Sequence, residues 1–350
     1  MAGDVITETN GTVGLIVLTR PKAMNALTHE MALEIETALD AWACDEAIDY
    51  VLIEATGDRA FCAGGDLQWL YAAGKAGQFK EAAQFWRDEY RLNHKIATFP
   101  KPYIALMHGV VMGGGVGISA HGSHRIVTES SVIAMPECSV GLIPDVGGSL
   151  ILANAPGRIG TYLGLTGTRM GPGDAVFAGF ADTFVSSDKW PALQEALRCG
   201  AGISAVQEFA VEPPESELAR LQPRIDAAFE CKRPGDAIAA LERLNEEWSK
   251  KAALRIASAS PLAVAAAWHV IAAARRCDHL ANVLQLEFRF TSRALEHSDF
   301  IEGIRAAVIE KDRSPRWTHA SLTDVPIELL ALMAEPVEGG DLTFQTTETG

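Results

Sequence analysis

KPYIALMHGVVMGGGVGISAHG, residues 101–122, joins an apolar strand at 103–107 to a run of closely spaced glycines beginning at Gly109. A short apolar run bounded by Pro and Gly fits a buried strand, and the glycines let backbone approach a ligand closely. Upstream, residues 79–98 have helical spacing. Further back, TVGLIVLT (12–19) and YVLIEA (50–55) are β-branched apolar strands. They bracket a helix whose Met31, Ile35, Leu39 and Trp42 share one face, with Thr28 placed to cap it. Downstream, short strands are expected at 125–128 and 132–134. Strands alternating with helices predict a mixed α/β core whose strand-end loops carry the chemistry.

From about residue 196 strand signals thin out and helical patterns dominate, at 236–253, 261–275, 280–296 and 299–310. Ser260 before Pro261 is a cap followed by proline at the first helical position, and Asp299 with Glu302 resembles a capping box. The Pro-containing stretch 211–235 is expected to be a linker. The chain therefore divides into an α/β core over 1–195, a mainly helical region over 196–335 and a flexible polar tail over 336–350.

Apolar residues make up 48% and charged residues 21%, which places the chain among folded globular proteins. The formal charge of -15 opposes attraction to nucleic acid or an anionic membrane. The N-terminal MAGDVITETNG lacks a basic region followed by an apolar one, and no apolar run approaches the roughly 20 residues that span a bilayer. Six cysteines without CxxC or zinc spacing read as reduced thiols, so a cytoplasmic location is expected.

Two glycine-rich loops stand out, FCAGGDL (61–67) and MGGGVG (112–117). Reactions at a carbonyl build charge on oxygen, and two fixed backbone N–H groups stabilise it. Read singly, each loop is equally a tight turn. A phosphate-binding loop is disfavoured because no Lys-Ser or Lys-Thr follows the glycines. The GxSxG elbow of serine hydrolases fails because His121 stands where glycine is needed. His108, His121 and His124 lack metal-ligand spacing and read as packed or solvated, and Cys62 and Cys138 as small apolar filler.

The order RPKAMNAL (20–27), FCAGGDL, KPYIALMHGVVMGGGVG and AMPECSVGLIPDVGG (134–148) resembles the enoyl-CoA hydratase/isomerase, or crotonase, superfamily. RDEY (87–90), GLIPDVGG, LTGTRM (165–170) and SDFIEGIRAAVIEKDRSPRW (298–317) are similar to its 3-hydroxyisobutyryl-CoA hydrolase branch. The resemblance implies a spiral of ββα units with a C-terminal helical region, an acyl-CoA substrate, no metal or redox cofactor, and a homotrimer. It implies an oxyanion hole from the amides of Gly65 and Gly114, and coenzyme A contacts near Ala23 and Leu67.

Enoyl-CoA hydratases carry a glutamate two residues after the third glycine of the GGG run, where this chain has Gly117. Their second glutamate is matched by Glu137. One of two water-activating groups is thus missing, which disfavours hydration. Glu137 and Asp145 instead match the carboxylate pair of the hydrolase branch, Glu137 as attacking or water-activating group and Asp145 as its partner. Glu89 matches a substrate-contacting glutamate, although a Glu on a polar helix is ordinarily a solvated charge. Thioester hydrolysis, enoyl-CoA hydration or isomerisation, and non-catalytic coenzyme A binding are the readings carried forward. The cysteine of AMPEC, where the hydrolases show threonine, leaves the acyl group open.

Overall fold

The structure is a computed structural model that describes residues 3–338 and 340–344. Strand β1 (Val5–Asn10) turns back antiparallel onto β2 (Val13–Leu18), and β2 pairs parallel with β3 (Tyr50–Ala55). The helix His29–Ala43 makes that crossover. Its Thr28 Oγ1 accepts from the Met31 amide at 3.2 Å, and Met31, Ile35 and Leu39 are buried. The pattern then repeats as pairs of strands: β3 is followed by β4 (Ala60–Cys62), β5 (Tyr103–Met107) by β6 (Val110–Met112), and β7 (His124–Val127) by β8 (Val132–Ala134).

In each pair the first strand joins one sheet and the second joins another. The larger sheet has the order β1-β2-β3-β5-β7-β9, closing with β9 (Thr183–Phe184), and the smaller is β4-β6-β8. Both β4–β6 and β6–β8 pair in parallel. The loops leaving β4, β6 and β8 therefore emerge at one edge, the carboxyl ends of parallel strands, where α/β folds place their ligands. This is the expected spiral of ββα units.

Helices then dominate, from Glu217–Phe229 to Ile327–Ala334. Ser260 caps Pro261–Ala274 as expected, accepting from the Ala263 amide at 3.3 Å. Leu280–His297 lies along Phe79–Ala97, and one hydrophobic core runs from Val5 to Leu342, uniting the helical region with the α/β core.

Four expectations are corrected here. The 211–235 linker contains the helix Glu217–Phe229, because Leu218, Leu221, Ile225 and Phe229 form a buried stripe despite Pro223. The helix expected over 236–253 is two, since Asn245 is left-handed (φ 57°) and Glu246 with Ser249 starts the second through a capping box. Asp299 makes no capping bond; its carboxylate accepts from Ser260 Oγ at 2.6 Å and the Thr318 amide at 2.9 Å. The stretch after 336 is docked rather than loose as far as residue 344: Asp341 pairs with Arg289 at 2.6 Å, Leu342 is buried, and Phe344 stacks on His94. Residues 345–350 of the expected tail lie outside the described residues.

Candidate active site

The loop after β4 is held by residues 20–27. Leu27 accepts from the Asp66 amide at 3.0 Å and donates to Gly64 O at 2.8 Å, a parallel bridge that uses the groups flanking Gly65. Gly65's own N–H takes no part in that bridge and is turned the other way. Arg20 reinforces the loop by pairing with Asp66 at 3.1 Å, and Asp66 also caps the helix Leu67–Lys75. Gly64 sits at φ 107°, a conformation that only glycine adopts without strain.

The loop after β6 opens the short helix Gly114–Gly117, so the Gly114 N–H has no intrahelical acceptor. This helix presses against the first loop: a Cβ on Gly115 would lie 2.2 Å from Cys62 O. A Cβ on Gly114 would lie 3.4 Å from the Gly65 nitrogen, so the two amide-bearing residues are neighbours.

Three carboxyl groups converge on these glycines. Glu137 opens a 3-10 turn after β8, and its Oε1 lies 3.2 Å from where a Gly113 Cβ would be. Glu89 projects from Phe79–Ala97, its Oε1 2.6 Å from where a Gly114 Cβ would be. Asp145 Oδ2 accepts from the Tyr90 hydroxyl at 2.8 Å, and that hydroxyl also lies 3.3 Å from Thr291 Oγ1. All three carboxyls line one cavity of about 110 Å³ with Gly65, Gly114, Leu67, Phe85, Trp86, Leu142, Val146 and Phe300.

All three are at least 94% buried by residue, and among the described residues no cation offsets the cost. Burial, followed by the charge of Asp145, pushes Glu89 and Glu137 well above the carboxylate range. Burial raises Asp145 to about 7, opposed by the Tyr90 hydrogen bond. Among the described residues Glu89 Oε1 and Glu137 Oε2 have no hydrogen-bond partner, so each offers a free lone pair to a bound molecule. Buried oxygens are ordinarily satisfied, which marks these two as groups kept for a ligand.

The structure thus brings together Gly65, Gly114, Glu89, Glu137, Asp145 and Leu67. Ala23 does not line the cavity; it lies on the exposed turn Pro21–Ala23, which joins the first loop where the Ala63 N–H donates to Met24 O at 3.0 Å. The solvated alternative for Glu89 is overturned, because the residue is buried with its carboxyl turned onto Gly114. His108 and His121 bond backbone carbonyls, of Gly57 and Val146, and His124 bonds Ser123, in accord with packed or solvated roles. Burial pushes the Cys62 thiol up to about 12. Sequence reasoning missed Tyr90, Asn93 and Glu287. Tyr90 adjoins Glu89 in RDEY and was within reach; the other two have no local signal.

Residues 13–333 match the enoyl-CoA hydratase/isomerase family. The chain is 36% identical to the 3-hydroxyisobutyryl-CoA hydrolase, mitochondrial, of Gallus gallus, covering 97% of this chain and 91% of that protein. It is similar in structure to an enoyl-CoA hydratase from Rhodobacter sphaeroides, with 47% identity, a TM-score of 0.92 and coverage of 98% and 100%. It is also similar to a carnitinyl-CoA dehydratase from Mycobacterium thermoresistibile, with 39% identity, a TM-score of 0.94 and coverage of 99% and 100%.

Proposed function

The chain belongs to the enoyl-CoA hydratase/isomerase family, and we propose that within it the protein hydrolyses short 3-hydroxyacyl-CoA thioesters, 3-hydroxyisobutyryl-CoA foremost. The observation that carries this reading is a free, buried Glu137 carboxyl beside two neighbouring backbone amides, with no side chain at Gly117. A Cβ there would lie 2.7 Å from Asn93 Nδ2 and 2.8 Å from Val146 Cβ, so a second carboxylate has no room at that position.

In the proposed reaction the thioester oxygen sits between the Gly65 and Gly114 N–H groups, which stabilise the charge that develops on it. Glu137 attacks the carbonyl carbon directly, or takes a proton from a water that does so; both routes use the same carboxylate. The carbon–sulfur bond breaks and coenzyme A leaves as its thiolate; on the direct route this leaves a mixed anhydride on Glu137, which a water then cleaves to the free acid and the Glu137 carboxylate, the water's other proton going to the thiolate. Glu137 and Asp145 are read as sharing one proton, which Asp145, its ionised form favoured by the Tyr90 hydroxyl, draws from Glu137 as Glu137 attacks. Glu89 Oε1 accepts from the 3-hydroxyl. This chemistry needs no metal or redox cofactor.

The hydratase and dehydratase names of the two solved structures favour a second reading, hydration of an enoyl-CoA. A silent coenzyme A-binding protein is the third, and against it stands the destabilisation that several uncompensated buried carboxyls impose. Following free thiol release from 3-hydroxyisobutyryl-CoA alongside the conjugated absorbance of crotonyl-CoA separates all three.

Among the described residues no single helix is long and apolar enough to cross a membrane. The six free thiols suit the reducing cytoplasm, whereas the Gallus gallus relative is named mitochondrial; cell fractionation decides. The homotrimer belongs to the same proposal and is read by light scattering.

A further inference from the structure

The loop that presents Asp145 is bent in a way its sequence does not favour. Val146 lies at φ 54°, left-handed backbone that a β-branched residue adopts only under constraint. The constraint comes from outside the α/β core. Glu287, fully buried in Leu280–His297, accepts from the Gly147 amide through Oε2 at 2.7 Å and from the Ser149 amide through Oε1 at 3.0 Å. His121 Nε2 meets the Val146 carbonyl at 2.7 Å from the opposite side.

One helical turn beyond Glu287, Thr291 reaches the Tyr90 hydroxyl that holds the Asp145 carboxyl. One helix therefore holds Asp145 twice, its backbone through Glu287 and its side chain through Thr291 and Tyr90. A carboxylate with both oxygens committed to backbone amides is not available to a substrate, and Glu287 does not line the cavity. Its burial without a cation needs another explanation than catalysis.

We infer that Glu287 is a positioning residue: its two hydrogen bonds hold the Val146 kink and so aim the Asp145 carboxyl at the substrate cavity. Through Glu287, which does not line the cavity, the helical region after residue 196 thereby acts on the site in addition to the Phe300 ring that lines it. This inference rests on Asp145 serving the proposed hydrolysis.

The test compares Glu287→Gln, Val146→Gly and the double variant by thiol release from 3-hydroxyisobutyryl-CoA, with a crystal structure of Glu287→Gln. Gln keeps the shape but sets an NH2 group against one backbone N–H, so one of the two bonds is lost. The expected result is a kcat lower by on the order of 10²-fold with KM nearly unchanged. Glycine adopts the kink without strain, so the double variant should recover about tenfold of that loss. The crystal structure should show the loop relaxed and the 2.8 Å contact from Tyr90 to Asp145 broken. An undisplaced loop in Glu287→Gln overturns the inference, as does an equal loss of kcat with and without Val146. A wild-type protein that releases no thiol contradicts the hydrolase reading instead, and the crystal structure still decides whether Glu287 holds the loop.

Discussion

Asn93 fills the space beside Gly117: its Nδ2 would lie 2.7 Å from a Cβ at that glycine. The missing second glutamate is therefore more than an absent side chain, since the neighbouring helix has closed over its place. Gly117→Ala is expected to lower the stability by about 1–3 kcal/mol through overpacking, read as a fall in Tm. Gly117→Glu should gain no crotonyl-CoA hydration. A stable Gly117→Glu protein that hydrates crotonyl-CoA would show that the site keeps a hydratase geometry.

The Tyr90 hydroxyl favours the ionised form of Asp145, which burial holds at about 7. Removing that donor in Tyr90→Phe raises the carboxyl further, so the acidic limb of the kcat profile should move to higher pH, by about one unit for a bond of that class. A limb that stays in place or moves down would disconnect Asp145 from the rate.

Stability should also depend on pH in an unusual direction. Glu89, Glu137, Asp145 and Glu287 all hold protons in the fold at pH values where the unfolded chain has lost them. Their contribution is complete below the unfolded value and disappears as pH rises through the folded one. For Asp145 that window runs from 3.8 to about 7. Each such group contributes a slope of up to about 1.4 kcal/mol per pH unit. Against the opposing effect of burial, Glu36 is lowered by hydrogen bonds from Arg91 and Lys95 and Asp88 by those from Gln84 and His29, and these two act in the opposite sense only at acid pH. Thermal unfolding of the ligand-free protein should show Tm falling from pH 5 to pH 7, less steeply in Glu137→Gln; a rising Tm that Glu137→Gln leaves unchanged would contradict the buried cluster.

Trp86 and Phe300, whose rings are 6.1 Å apart, both line the cavity, and the proposed reaction sets the acyl group against them. In a space of about 110 Å³ a longer chain meets these rings. The account predicts roughly tenfold lower kcat/KM for each methylene beyond the fit, partly relieved in Leu142→Ala. Equal rates for 3-hydroxyisobutyryl-CoA and 3-hydroxyoctanoyl-CoA would show that these rings set no limit.

The alternation of strands and helices was legible because these follow local periods, and the two loops because glycine marks them, whereas the ββα spiral and the amides of Gly65 and Gly114 came from the resemblance. Glu137 and Asp145 came from motif order. Glu89 was ambiguous for a physical reason: RDEY looks polar in isolation, and only the fold shows that both its acids are buried, Asp88 paired with His29 and Arg91 and Glu89 turned onto Gly114. Glu287 had no signal, since its partners Gly147 and Ser149 lie some 140 residues away. The helix within the expected linker was hidden by Pro223 and by the prolines of VEPPE, although its apolar stripe was present.

The most direct measurement follows free thiol from 3-hydroxyisobutyryl-CoA and the absorbance of crotonyl-CoA for the wild type and Glu137→Gln. The account predicts thiol release by the wild type, a loss of roughly 10³-fold in the variant, and crotonyl-CoA untouched by either. Crotonyl-CoA consumed without thiol release, or thiol release that survives in Glu137→Gln, would contradict it.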